Sequence, residues 1–199
     1  MTPIALFISG GGGNALNLVR ACREGQVPAE PRIVVSSSSK ALGVERLRAA
    51  GLPVDIVLRS GFPDDPSFSA ACYAAAGSAG AELVCLCGWL KMLAVPPAWE
   101  GRILNIHPAL LPAFGGPGMF GMNVHRAVLA SGAAESGATV HLVDAEYDHG
   151  RILDQERVPV LAGDTPEELQ RRVYEAEMRL YPRALAAFLR ARAAGAPGT

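Results

Sequence analysis

The sequence predicts an α/β domain: a mostly parallel, twisted sheet with helices on both faces, finished by antiparallel strands toward the carboxyl end. Three observations predict it. Short apolar runs alternate with helix-patterned segments from the first residues onward, the order that feeds right-handed crossovers between parallel strands. A glycine run, Gly10 to Gly13, joins the first apolar run to the first helical segment. Two alternating segments meet across Asp148-His149-Gly150 and read as an antiparallel pair. No internal repeat or linker interrupts the pattern, so one domain over residues 1–199 is expected.

Each element follows in order. Residues 4–8 form the first strand and 14–24 the first helix, with Leu16, Val19 and Arg20 at helical spacing. Residues 33–35 are a second strand and 41–50 a second helix, stopped by Gly51 at a C-cap position. Residues 54–58, 83–86 and 103–106 read as strands three to five, with a helix over 68–76 between the first two of these. Residues 109–121, rich in glycine and proline, form a long loop, the kind that is either functional or disordered. A short helix over 122–130 follows, then strands over 139–143 and 152–160. Asp164-Thr165-Pro166-Glu167-Glu168 starts a long helix, having a cap, an early proline and acids in its first turn. Its apolar stripe is Leu169, Val173, Ala176 and Leu180; Pro182 marks a candidate kink, and the tail over 194–199 is expected to fray.

Composition narrows the function. Half of the 199 residues are apolar and 18 basic residues face 19 acidic ones, for a net charge of −1. Lys40 and Lys91 are the only lysines and no basic block stands out, so nucleic acid is not an expected partner. A small anion, which needs only a local site, remains compatible. No apolar run approaches the ~20 residues that span a bilayer, and no secretory leader pattern opens the chain. Cys22, Cys72, Cys85 and Cys87 fit neither a disulfide framework nor a zinc spacing. A reducing, cytoplasmic setting without a metal is the simplest expectation.

Two motifs carry chemistry. Asn105-Ile106-His107-Pro108 ends the fifth strand. Successive strand side chains point to opposite faces, so Asn105 and His107 share one face and Ile106 packs on the other. Pro108 cannot donate to a ladder and ends the pairing there. An amide beside a titratable ring at a strand's carboxyl end is either a carbonyl-polarising pair or a capped strand end with a structural histidine. The second motif, Ser9 to Asn14, opens a helix, where glycines let backbone approach a ligand and the helix start presents free N–H groups to an anion. Asn14 is the N-cap candidate. The spacing is neither G-x-G-x-x-G nor a Walker A sequence, which favours a phosphate monoester over a dinucleotide or triphosphate. Three features, the glycine run, Gly88-Trp89 and Asn105/His107, all fall at carboxyl ends of strands, where open α/β sheets bind ligands.

In combination these segments, with Leu110-Leu111-Pro112 and Asp148, resemble the folate-dependent formyltransferases over nearly the whole chain. The glycine loop and chain length are similar to the branch that acts on glycinamide ribonucleotide. The resemblance implies a Rossmann-like formyltransferase fold, with a phosphate-binding amino-terminal half and a folate-binding carboxyl-terminal half. It implies transfer of the formyl group of 10-formyltetrahydrofolate to the amine of glycinamide ribonucleotide in purine biosynthesis. Asn105, His107 and Asp148 match the catalytic residues, with His107 expected to be protonated and kept so by Asp148. Gly12, Gly13 and Asn14 match the phosphate loop, and Glu177 an acid that contacts the ribose. Leu90, Lys91, Met92 and Leu93 match one wall of the folate pocket; Asp144, Ala145, Glu146, Tyr147 and Asp148 match the other, with Asn105 between them. No metal is implied, and the protein is expected as a monomer or homodimer.

The chain also departs from the pattern. Gly13 stands where the family often has serine, which removes one hydroxyl donor to phosphate. No arginine lies near Phe68, where the family tends to place one toward the folate tail, and Arg59 is the nearest substitute. His141 reads as a structural hydrogen-bonding residue, and His125 and His149 as surface groups. Three other functions share parts of this signature. A formyltetrahydrofolate hydrolase releasing formate usually carries an extra amino-terminal domain. A formylase of aminoacyl-tRNA calls for a basic surface and a further carboxyl-terminal domain. A non-catalytic nucleotide-phosphate binding protein would keep the glycine loop alone.

Overall fold

A computed structural model of the chain describes residues 1–195; of the expected frayed tail, residues 196–199 lie outside the described residues. Five strands come first in the sheet: β1 (Thr2–Ile8), β2 (Ala29–Ser36), β3 (Val54–Ile56), β4 (Leu83–Leu86) and β5 (Ile103–His107). They pair in parallel, and β6 (Glu135–Leu142) and β7 (Ile152–Pro159) extend the sheet in antiparallel register. The order across the sheet is β3-β2-β1-β4-β5-β6-β7.

Strand alternation sorts the core onto two faces. Ile4, Leu6 and Ile8 of β1 pack with Leu83 and Cys85 of β4 and Leu104 and Ile106 of β5. On that face lie the helices α1 (Gly13–Arg23), α2 (Leu42–Ala49), α4 (Met122–Ser131) and α5 (Pro166–Ala193), through Leu18, Leu47, Val128 and Leu180 among others. Ala5, Phe7, Val84, Leu86 and Ile103 face the other way, against Phe68, Cys72 and Tyr73 of α3 (Asp65–Ser78). All four cysteines are free and buried, and burial pushes the thiols of Cys72 and Cys85 up to about 12, so they act as packing groups.

The expected elements are present, with shifted bounds where nonlocal contacts decide. Helix α3 starts at Asp65 rather than residue 68, because the Asp64 side chain accepts from Ser67 N at 2.8 Å and Pro66 fits the first turn. Strand β6 starts four residues earlier than periodicity suggested, since β7 pairs with Glu135 through Ala138. Strand β3 is shorter, ending at Ile56. Helix α5 continues through Pro182 to Ala193 as one element, its start held by a reciprocal capping box between Thr165 and Glu168.

Strand order places the site. Successive strands step outward from β1 through β2 to β3, then β4 returns to the opposite side of β1. The loops after β1 and β4 therefore part at this switch point and open a crevice. They remain tied at its base: Ser9 N donates to Gly88 O at 3.2 Å, and Leu90 N donates to Ser9 Oγ at 2.9 Å.

Candidate active site

Strand β5 carries Asn105 and His107 on the face opposite Leu104 and Ile106, and its pairing stops at His107, before Pro108. Antiparallel β6 brings His141 directly opposite Asn105 in the ladder. Asp148, from the loop after β6, reaches into the gap between these side chains. Its Oδ2 lies 3.4 Å from His107 Nδ1, and its Oδ1 lies 3.6 Å from His141 Nε2 and 3.5 Å from Asn105 Nδ2. Asp148 adopts φ 53°, a left-handed conformation that aspartate tolerates better than most residues.

The proton positions follow from the partners. His141 Nδ1 donates to the Leu142 carbonyl at 2.8 Å, which leaves Nε2 facing Asn105 Nδ2 at 3.1 Å and Asp148 Oδ1 at 3.6 Å. His107 Nε2 donates to the Phe114 carbonyl at 2.8 Å. Burial would raise the Asp148 carboxyl, but the hydrogen bond to His141, the nearby His107 ring and the Gly116 N–H hold it below its ordinary value. His107 goes the other way. Burial pulls its pKa below the usual histidine value, and Asp148 and the Phe114 carbonyl only partly oppose this. In the ligand-free molecule desolvation thus works against the charged ring, and Asp148 works for it.

Residues 109–121 fold over this cluster. Thr139 Oγ1 donates to Ala109 O at 2.7 Å and accepts from Leu111 N at 3.0 Å, while Gln155 Nε2 donates to Leu111 O at 2.9 Å. Gly116 N then donates to Asp148 Oδ2 at 3.0 Å. Gly115 is required here: a Cβ would lie 2.6 Å from Leu111 Cδ2 and 3.1 Å from Asp148 Cβ.

The glycine loop is a second, different environment. Gly12 is the N-cap of α1 at φ 68°, in contact range of Gly43, whose N–H donates to Gly10 O at 3.0 Å. No side chain caps α1 and no acid lies in its first turn, which leaves its leading N–H groups for an anion. Asn14 is not the N-cap. It sits inside the helix, and its Nδ2 donates to Glu177 Oε2 of α5 at 2.8 Å. Asn14 Oδ1 is buried without a partner. Glu177 is buried rather than on an exposed helix face, and burial lifts its carboxyl to about 7 against the opposing Asn14 bond.

One cavity of about 400 Å³ joins the two environments. Its lining includes Asn105, His107 and Asp148 at one end and Asn14 and Glu177 at the other. Leu90, Lys91, Met92 and Leu93 form one wall, and Asp144, Glu146 and Tyr147 contribute to another. Trp89, stacked on Phe68 with ring centroids 5.9 Å apart, braces the first wall. Ala145 is exposed and outside the lining; Gly12 and Gly13 are not exposed but also lie outside it. Arg59 does not substitute for a cavity arginine: it pairs with Asp65 and donates to the Phe62 carbonyl. Among the described residues no cluster of three or more His, Cys, Asp or Glu could hold a metal, and no helix is long and apolar enough to cross a membrane.

One histidine was misread from sequence. His141 is hydrogen-bonded as expected, to the Leu142 carbonyl and Asn105, and it also lines the cavity beside Asp148. His125 is 2% exposed and also lines the cavity, with Nδ1 unpaired; burial and the nearby His107 lower its pKa. A signal existed for His125, since it shares the buried face of α4 with Val124 and Val128. His149 is exposed and pairs with Asp144 at 2.8 Å, as a surface group should.

Known proteins place this geometry. A family model described as formyl transferase matches residues 2–185. The chloroplastic phosphoribosylglycinamide formyltransferase of Arabidopsis thaliana is 44% identical over 181 residues, covering 89% of this chain and 62% of that protein. Against this plant relative and the one from Vigna unguiculata, the chain spans about three fifths of their length. The phosphoribosylglycinamide formyltransferase of Haemophilus influenzae is 35% identical, covering 92% of this chain and 84% of its own. The crystal structure of glycinamide ribonucleotide transformylase 1 from Symbiobacterium toebii superposes with a TM-score of 0.90 at 40% identity, covering 96% of this chain and 89% of that one. The chain belongs to the formyl transferase family.

Proposed function

We propose that the protein transfers the formyl group of 10-formyltetrahydrofolate to the amine of glycinamide ribonucleotide, a step of purine biosynthesis. The observation that carries this reading is one cavity that reaches from Asn14, in the first turn of the uncapped helix α1, to the Asn105/His107/Asp148 cluster. The relatives' names support formyl transfer to that ribonucleotide. The phosphate would sit at the start of α1, and the ribose hydroxyls would donate to Glu177 and to the unpaired Asn14 Oδ1. The folate would lie between Leu90–Leu93 and the loop from Asp144 to Asp148, and it supplies the formyl group.

The chain's own residues then act on charge. As the amine adds to the formyl carbon, negative charge grows on the formyl oxygen. Asn105 Nδ2 can turn one proton to that oxygen by giving up its long 3.5 Å contact with Asp148. Growing negative charge also favours the protonated form of His107 as a second donor to that oxygen, and collapse of the adduct then breaks the bond to the folate nitrogen, which leaves with the proton that the attacking amine gives up. Asp148 orients the imidazole and offers a nearby base for the amine proton.

Residues 1–199 act in this reading as one domain in the cytoplasm, as a monomer or homodimer and without nucleic acid; the near-neutral charge balance supports the last point. A coupled assay of folate product, with and without the ribonucleotide, tests the function. Product that requires the ribonucleotide is expected. Formate release in its absence would identify a hydrolase, and no turnover at all would leave a binding protein.

A further inference from the structure

One hydroxyl stands where three loops meet at the carboxyl edge of the sheet. Ser9 directly follows β1 and precedes the glycine run. Its Oγ accepts from Leu90 N at 2.9 Å and shares a 2.7 Å hydrogen bond with the hydroxyl of Ser37, the residue after β2. The backbone on both sides of Ser9 is held too: Ser37 N donates to Ile8 O, and Gly43 N to Gly10 O, each at 3.0 Å. Leu90 opens the irregular segment that walls the cavity as far as Leu93. That segment hangs between two serine hydroxyls. Ser9 Oγ takes the amide at its start, and Ser69 Oγ of α3 takes Ala94 N at its end, again at 2.9 Å. Ser69 in turn donates to Asp65 O at 2.6 Å, so the second anchor answers to α3 and the first to the glycine run.

We propose that Ser9 is a positioning residue that couples the two substrate sites: an anion settling on the glycine run tightens the Leu90–Leu93 wall through the Ser9–Leu90 hydrogen bond. This rests on the reading above, in which the ribonucleotide phosphate sits at the start of α1 and the folate lies against that wall. N–H groups drawn onto a phosphate fix the backbone from Gly10 to Asn14, and Ser9 is the residue through which that order leaves the loop. Its Oγ then presents a fixed acceptor to Leu90 N. Ordering of the wall supplied by the first ligand is not required again of the second. Linkage makes the effect reciprocal, so the folate must tighten the ribonucleotide by the same factor. One neutral hydrogen bond is worth a factor of about five.

Tetrahydrofolate has no formyl group to give, so with glycinamide ribonucleotide it forms a complex that cannot react. Calorimetry can then measure the Kd of each ligand with and without the other. In the wild type each Kd should fall about fivefold when the other ligand is saturating. In Ser9→Ala the two Kd values should become independent. Ser69→Ala loosens the same wall from its far end: it should weaken tetrahydrofolate equally with and without the ribonucleotide and keep the fivefold ratio. Equal ratios in wild type and Ser9→Ala overturn the proposal, as does loss of the ratio in Ser69→Ala, which would mean plain support of the wall. Amide exchange of Leu90, followed by NMR as inorganic phosphate is titrated in, needs neither turnover nor folate. Slower exchange in the wild type but not in Ser9→Ala supports the coupling, and exchange unchanged by phosphate in the wild type overturns it. Slowed exchange in a protein that binds no tetrahydrofolate keeps the tie between loop and wall and rejects the assigned second substrate alone.

Discussion

At the carboxyl end of β5 the cavity is made of side chains that hold one another, whereas the glycine loop at the end of β1, beside the cavity's Asn14 end, offers backbone. Asp148 touches Asn105, His107, His141 and the Gly116 N–H, so each group there is positioned by several others. The loop at Gly12 works by what is missing: no cap, no first-turn acid, and no Cβ where Gly43 approaches. The two ends should therefore fail differently. The first fails when atoms are removed, and the second when atoms are added.

Asn105→Ala should give the largest effect. It removes the amide donor that can swing onto the formyl oxygen and takes away the 3.1 Å contact at His141 Nε2. Losing a donor of this kind typically costs ~10²–10³ in turnover. Stopped assays should show that loss in kcat, with the ribonucleotide KM nearly unchanged because the phosphate end is intact. A KM effect as large as the kcat effect would mean the two ends are not separate.

Glu177 lies at the boundary and should link binding to pH. Its carboxyl is raised to about 7, above an ordinary glutamate. The sign follows: the folded protein holds this proton more tightly than the unfolded chain. The stabilisation is full below about 4.5, the ordinary glutamate value, and is lost as pH rises through about 7. Ribose hydroxyls donate best to the carboxylate, so the ribonucleotide KM should fall as pH rises across that range. The change can approach tenfold per pH unit below the pKa. Glu177→Gln should flatten this component, and the ratio of the two profiles removes the titration of the substrate's own phosphate. A wild-type profile identical in shape to the variant's would refute the link.

Gly12→Ala should act at the other end by addition. A left-handed φ costs an L-residue about 1–2 kcal/mol, and the new Cβ would lie 3.0 Å from Gly43 Cα. Urea unfolding should register a loss of at least this size, together with a higher ribonucleotide KM. Full stability with normal KM would show that the loop relaxes without consequence.

This contrast also explains what could be read from sequence. The parallel core was legible because β1, β4 and β5 alternate between two buried faces, and alternation is local. Asn105 and His107 were legible for the same reason, as residues two apart on a strand. Glu177 was placed by resemblance, but its burial and shifted carboxyl depend on Asn14, 163 residues away. His141 became part of the cluster only through the register that sets it opposite Asn105. The start of β6 was missed because Glu135 to Ala138 owe their extended form to β7, not to their own pattern. The tie between Ser9 and Leu90 carried no signal, since 81 residues separate them.

The smallest effect is expected from Thr165→Ala, and it separates stability from site geometry. Thr165 begins α5, the helix that also carries Glu177, and it shares a reciprocal capping box with Glu168. Its side chain accepts from Glu168 N at 3.2 Å, while Glu168 Oε2 accepts from Thr165 N at 2.8 Å. Losing such a cap costs about 1 kcal/mol, which thermal unfolding should detect. The helix is anchored well beyond its first turn by Leu169, Val173, Ala176, Leu180 and Tyr181, all fully buried. Tyr181 Oη also donates to the Leu86 or Leu104 carbonyl, each 3.1 Å away, which fixes the helix on the sheet beneath the cavity. Fraying at Thr165 should therefore stop before Glu177, leaving KM and kcat at wild-type values. If the ribonucleotide KM rises in step with the lost stability, the Glu177 end of the site depends on helix α5 as a whole, and the separation between a backbone end and a side-chain end is weaker than the geometry implies.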